Sequence, residues 1–298
     1  MRSFKFWMLL VLNFSVILPI YAANSNDADG EYDSHRPKKK IYTIADDVIL
    51  TPTANVQYDK PRIIVKAVYP VISSGTPDEN IDSFNLLITD LIRQEAENFR
   101  EKVLANQAAQ INYPKDKVKN EIDIDFNTSV VNTEDDPIIS IRFSIQGNIV
   151  GLAHPYHTHH TLNYNLYNGE EVHLASLFKQ DADYLTMISS YCRNVLNKRL
   201  KDKGMIEKGT AALEENFKNW NVSPYGLLIT FDEAQVAPYV YGTQTVMIPY
   251  SVLKLILAPD SFTSQCTKHR RSCIQNNVLT GGFIDEAANT PTPLVKTA

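Results

Sequence analysis

The 298-residue sequence is 44% hydrophobic and 21% charged, the balance of an ordinary folded protein, which excludes disordered, collagenous and low-complexity chains. Arg2 and Lys5 are the only charges among the first 22 residues, leaving 27 basic against 34 acidic residues beyond them, a net charge of −7. That sign argues against nucleic acid, which is bound through clustered Lys and Arg, and three cysteines without a Cys-x-x-Cys suit neither a disulfide scaffold nor a zinc ribbon.

Residues 1–22, MRSFKFWMLLVLNFSVILPIYA, have the three-part order of a secretory signal peptide: a positive start, an apolar run from Phe6 to Ile20, then Pro19 and small Ala22. The run is shorter than the ~20 residues a helix needs to cross a bilayer. Cleavage after Ala22 or Ala23, a periplasmic or secreted location and no stable membrane insertion after cleavage are therefore expected. Residues 23–45 open with ANSNDADGEYDSHRPKKK, lack hydrophobic periodicity at first, and read as a flexible linker.

An N-terminal α+β subdomain is expected over 46–165. Arg62–Tyr69 alternates as a strand, with Ile63, Val65, Ala67 and Tyr69 on one face. Thr76, Pro77 and Glu79 suggest a capped helix start, and Phe84, Ile88, Leu91, Ile92, Phe99 and Val103 keep helical spacing behind it. Strands follow at 121–131 and 137–146. Leu162, Tyr164 and Leu166 then alternate up to Asn168-Gly169, a dipeptide suited to a tight hairpin turn.

A C-terminal α+β subdomain is expected over 166–260. It holds a helix from Asp181 to Lys203 ended by Gly204, a short helix from Thr210 to Trp220, strands at 226–231 and 244–249, and a short helix from Ser251. The mixed order predicts an α+β fold, helices packed on an antiparallel sheet in two subdomains. In the tail, 261–298, Cys266 and Cys273 are spaced to close a small disulfide loop, leaving Cys192 free; the other pairings remain open.

Two clusters carry the chemistry. GLAHPYHTHHTLNY holds His154, His157, His159 and His160; His157 and His159 point the same way on a strand, and His154, His157 and His159 are candidate metal ligands. The alternative is a loop whose imidazoles cap turns or face water. The second cluster is aromatic: Tyr225, Tyr239, Tyr241 and Tyr250, with Pro238 and Gly242 fixing a loop that presents rings to a partner. Nucleophile elbow, His-Glu-x-x-His, P-loop and dinucleotide signatures are all missing from the sequence, so no enzyme and no cofactor are expected.

Three segments together resemble the RsiV-like extracellular family of lysozyme-receptor anti-sigma factors, and the related non-catalytic domain of the deacetylase PdaC. They are the strand to Tyr69-Pro70 with its capped helix; Gly151, Ala153, His154 and Pro155 leading through Asn168-Gly169 to Leu174–Phe178; and Ala237, Pro238, Tyr239, Gly242 and Ile248-Pro249-Tyr250. The resemblance spans roughly residues 46 to 258. It implies a binding domain of the cell envelope, with lysozyme as the ligand of the receptor branch. Receptors of that branch hold a sigma factor behind a transmembrane helix. The signal-like start and the missing deacetylase domain imply instead a freestanding exported domain. The expectation is a non-catalytic binder of lysozyme or peptidoglycan-derived glycan, with Pro238, Tyr239, Tyr241 and Tyr225 in contact. A metal-assisted enzyme acting on cell-wall glycan is the alternative.

Overall fold

Strand-forming runs in the first half pair in simple sequence order. The computed structural model describes residues 42–45, 48–59, 63–106, 110, 119–133, 136–223 and 226–264; the signal-like segment, Tyr225, Cys266 and Cys273 lie outside them. Strands β1 (Tyr42–Ala45), β2 (Val48–Asp59), β3 (Ile63–Ser73), β4 (Asn120–Thr133), β5 (Asp136–Asn148), β6 (Tyr156–Asn165) and β7 (Glu170–Glu171) form one seven-stranded sheet in that order. Its pairs are antiparallel except β3 with β4, which run parallel. This exception to the expected antiparallel sheet comes from helix α1 (Glu79–Ala105), whose 27 residues carry the chain back to the end where β3 began. A crossover of that kind is what a parallel pair requires.

Helix α1 lies on one face of the sheet. Ile81, Phe84, Ile88, Leu91, Ala96, Phe99 and Val103 are its buried residues, at three- to five-residue steps that keep one stripe inward. They pack on Val65, Ala67, Ile122, Ile124, Ile139, Ile141, Phe143 and Ile145. The helix starts two residues later than the Thr76 signal suggests. Asp78 is the cap, its carboxylate accepting from Asn80 N at 2.8 Å and Ile81 N at 3.2 Å, and an aspartate also favours the positive end of the helix dipole.

The turn before β7 is longer than a two-residue hairpin. Asn165 Oδ1 accepts from Tyr167 N at 2.8 Å and Asn168 N at 3.3 Å, and Gly169, at φ +73°, donates its N–H to Asn165 O at 3.0 Å. Asn165 thus supplies the turn chemistry assigned from sequence to Asn168, as an asparagine two residues before a bend commonly does.

A second core forms around a three-stranded antiparallel sheet: β8 (Trp220–Val222), β9 (Gly226–Phe231) and β10 (Gln244–Pro249), with β9 central. Helices α2 (Tyr184–Arg199) and α3 (Lys203–Gly209) contribute Ile188, Cys192, Leu196 and Ile206 to it. The sequence suggests one helix ended by Gly204. Instead α2 stops at Leu200, whose backbone is extended, and Asp202 caps a new helix by accepting from Met205 N at 3.0 Å, so Gly204 sits inside α3. The short helix expected over 210–220 is a single 3-10 turn at Glu214–Phe217, because Trp220 is drawn into β8 against Ile229. A last turn, α4 (Tyr250–Leu253), follows β10.

The two cores meet through polar groups. Asn221 Nδ2 donates to Ser140 Oγ at 3.0 Å and to Ile141 O at 2.9 Å; Asn163 Nδ2 donates to Trp220 O at 3.0 Å; Ser129 Oγ donates to Val222 O. Each of these donors is buried and partnered, as burial of polar atoms demands, whereas the Asn221 Oδ1 acceptor is buried without a hydrogen-bond partner among the described residues. This polar face of the large sheet, opposite α1, continues past the small sheet into the candidate site.

Candidate functional site

Period-two alternation decides which side chains reach the site. On β5, Ile139, Ile141, Phe143 and Ile145 go to the core, so Ser140, Arg142, Ser144 and Gln146 share the opposite face. On β6, Leu162 and Tyr164 face the core, placing His157, His159, Thr161 and Asn163 with the polar set. The register sets Ser144 opposite His159 and Gln146 opposite His157.

The four clustered histidines therefore separate. His157 and His159 stand side by side, ring centroids 5.0 Å apart. His160 turns to the helix side, 3.8 Å from Glu95. His154, in the loop before β6, stacks on Tyr239 at 4.2 Å. Among the described residues no group of three His, Cys, Asp or Glu side chains is arranged to hold a metal ion, His154, His157 and His159 included.

What meets the paired histidines is the turn after β9. Asp232 Oδ1 accepts from His159 N at 3.0 Å and lies 3.2 Å from His159 Nδ1, while Asp232 Oδ2 accepts from Asn219 Nδ2 at 3.2 Å and sits 3.8 Å from Lys218 Nζ. Glu233 Oε1 is 3.8 Å from His157 Nδ1, and His157 Nε2 is 2.6 Å from Ser144 Oγ. Burial, with the charges of His159 and Arg142, pushes the His157 imidazole below its ordinary value; Glu233 and Asp232 oppose the shift only in part. These effects together favour the neutral form of the His157 ring.

The turn itself is strained and clamped. Ala234 takes φ +62°, in a region that costs an L-residue about 1 kcal/mol. Gln235 holds it: Oε1 accepts from Asp232 N at 3.0 Å, and Nε2 donates to Asn216 O at 3.0 Å and Gly209 O at 3.2 Å. From this base the chain runs through buried Val236 and Ala237 to Pro238 and a 3-10 turn at Tyr239–Tyr241, closed by Gly242 at φ +63°.

Tyr239, Val240 and Tyr241 are 38%, 85% and 51% exposed, three consecutive large side chains facing water. The Tyr239 hydroxyl donates to Pro155 O at 2.5 Å, and loss of water together with the nearby Glu233 carboxylate pushes it above the usual phenol range. Tyr250, grouped with these rings in the sequence, is a core residue whose hydroxyl donates to Ser223 O at 2.9 Å. Of the expected contact residues the structure thus brings together Pro238, Tyr239 and Tyr241, with Tyr225 outside the described residues. Ser144, Asp232 and Glu233 were not singled out from sequence; the readable signal was alternation on β5 and the acidic pair in FDEAQ directly ahead of the aromatic loop. A separate cleft of about 390 Å³, lined by His173, Leu174, Tyr184, Glu214, Phe217 and Trp220, lies between the 3-10 turn at Leu174–Leu177 and the one at Glu214–Phe217.

Among solved structures the chain is similar to a member of the DUF3298 family from Bacteroides fragilis, with 14% identity, a TM-score of 0.52, and coverage of 74% of this chain and 97% of that one. That likeness defines the fold. A DUF3298 family protein from Pseudomonas aeruginosa PAO1 also matches, with 12% identity and a TM-score of 0.43, covering 70% of this chain and 94% of that one.

A DUF3298 domain, described as a protein of unknown function, is present at residues 175–251 and takes in the small sheet, the strained turn and the exposed rings. The chain is also 32% identical over 111 residues to the peptidoglycan-N-acetylmuramic acid deacetylase PdaC of Bacillus subtilis strain 168; the match covers 36% of this chain and only 24% of that protein. Among the described residues no helix is long and apolar enough to cross a membrane.

Proposed function

We propose that the protein is an exported RsiV-like binding domain of the cell envelope that captures lysozyme by inserting the Tyr239–Tyr241 ridge into a concave surface of that enzyme. The observation that carries this reading is the ridge itself: a protruding apolar turn with Val240 85% exposed, on a base clamped by Asp232 and Gln235. Exposed apolar residues in a fixed conformation bind with little ordering cost and mark contact surfaces. The net charge of −7 beyond residue 22 adds long-range attraction to a basic partner, which salt screens. The signal-like N-terminal segment is what supports export.

A second reading, in which peptidoglycan-derived glycan is the ligand, draws on the similarity to a protein named for its action on peptidoglycan. Retention on immobilised lysozyme and co-sedimentation with insoluble peptidoglycan, each at low and moderate salt, separates the two. The expected result is salt-sensitive retention on lysozyme, reduced at least ~10-fold by Tyr241→Ala, a substitution at a 51% exposed site that leaves the melting temperature in place. Failure on lysozyme with retention on peptidoglycan transfers the proposal to glycan, and failure on both removes it.

A further inference from the structure

The contacts around His157 have the order of a nucleophile, a base and an orienting carboxylate. Ser144 Oγ is 2.6 Å from His157 Nε2, and Glu233 Oε1 is 3.8 Å from Nδ1 on the far side of the same ring. We propose that Ser144, His157 and Glu233 constitute an acyl-transfer site that hydrolyses small acyl esters. This goes beyond capture of a macromolecule and does not depend on which macromolecule is captured. It also departs from the expectation of a domain without catalysis.

Three features distinguish the arrangement from an ordinary structural contact. The serine–histidine distance is within hydrogen-bond reach, the geometric requirement for an activated hydroxyl. Glu233 is held at 14% side-chain exposure, its carboxylate against the Tyr239 hydroxyl as well as facing His157, so it is positioned by the turn and the ridge together. The residue after it, Ala234, is in the left-handed region, so the carboxylate is positioned by a strained turn, and strain of this kind clusters at functional sites. His157 is 32% exposed, which admits a substrate to one side of the relay, and the stacked rings of Tyr239 and His154 border the same turn. The groups whose charge reaches His157 are His159, Glu233, Asp232 and Arg142, and with burial, the largest cause, their net effect lowers its pKa and favours the unprotonated ring.

The chemistry balances with water as the co-reactant. Ser144 Oγ attacks the ester carbonyl carbon as its proton passes to His157 Nε2, and the Glu233 carboxylate, 3.8 Å from Nδ1, stabilises the resulting imidazolium by charge. The carbon–oxygen bond to the alcohol breaks, and His157 gives its proton to the departing alkoxide. Water then adds to the acyl-serine, losing a proton to Nε2. The serine–acyl bond breaks, that proton returns to Ser144 Oγ, and a carboxylic acid leaves. Arg142, two residues before Ser144 on the same face and bonded to Thr230, carries a positive charge that acts at His157 and favours negative charge developing near it.

The full chain is treated with a fluorophosphonate probe, and hydrolysis of p-nitrophenyl acetate is measured from pH 5 to 9. The proposal expects a single probe adduct on the peptide containing Ser144. It expects a rate that rises through an ionisation below the ordinary imidazole value of 6.5, and loss of at least ~100-fold in rate for Ser144→Ala and His157→Gln. Glu233→Gln slows turnover while leaving the adduct site unchanged. No adduct on Ser144 in the unaltered chain, or hydrolysis equal in the chain and in Ser144→Ala, overturns the proposal. The adduct measurement uses the unaltered protein, so misfolding of a variant cannot obscure the answer.

Discussion

Asp232→Ala removes the anchor that joins the exposed ridge to the large sheet. Its carboxylate receives His159 N at 3.0 Å, His159 Nδ1 at 3.2 Å and Asn219 Nδ2 at 3.2 Å, at 19% side-chain exposure. A hydrogen bond to a charged group contributes about 1.5–3 kcal/mol, and a donor stranded by truncation loses a similar amount. The two donors on buried residues, His159 N–H and the Asn219 amide, dominate; water entering the space left by the carboxylate offsets part of their loss. The net cost expected is about 3 kcal/mol. Asp232→Asn keeps one acceptor oxygen and should cost about 1 kcal/mol. Urea unfolding followed by far-UV circular dichroism measures both. The partner variant Asn219→Ala closes a double-mutant cycle, for which a coupling of about 1 kcal/mol or more is expected. A cost below about 1 kcal/mol for Asp232→Ala at unchanged m-value, or zero coupling to Asn219, would refute the anchor.

Tyr164→Phe removes a hydroxyl that donates to Asn80 O at 3.0 Å but keeps the ring against Phe84, centroids 5.4 Å apart; a loss of about 1 kcal/mol in chemical denaturation is expected. Gly169→Ala forces a side chain onto φ +73° and a Cβ against the Asn80 amide oxygen, so destabilisation by at least about 1 kcal/mol should appear in the same assay. Complete burial pushes the Cys192 thiol up, from 9.0 to well outside the usual thiol range. The native state then holds its proton more tightly than the unfolded state, so this contribution to stability is full below pH 9 and declines as pH rises above it. Alkylation by iodoacetamide at pH 8 should likewise reach Cys192 only on unfolding.

Much of the fold was readable because alternation and helical spacing are local properties. The runs at Ile63, Ile122 and Ile139 read as strands, and Phe84, Ile88, Leu91 and Phe99 as a buried helical stripe, because each pattern is complete within its own element. Helix ends were harder: Asp78 and Asp202 prevail over Thr76 and Gly204 as signals, since a cap acts only where its carboxylate meets an unpaired N–H. The exposed ridge was also legible, as Pro238 and Gly242 bracket the rings and no apolar periodicity draws them inward.

The sequence by itself determined the α+β class, the strand and helix patterns, the common facing of His157 and His159, and the position of Tyr239 and Tyr241 on a turn. Only the tertiary structure decided that Tyr250 goes to the core, that His154 leaves the other histidines to stack on Tyr239, and that Asp232 and Glu233 meet His159 and His157 more than seventy residues away in sequence. Such contacts depend on how two sheets dock through a polar layer. Docking is fixed by the summed burial and hydrogen bonding of both cores, a quantity that no local run of residues carries.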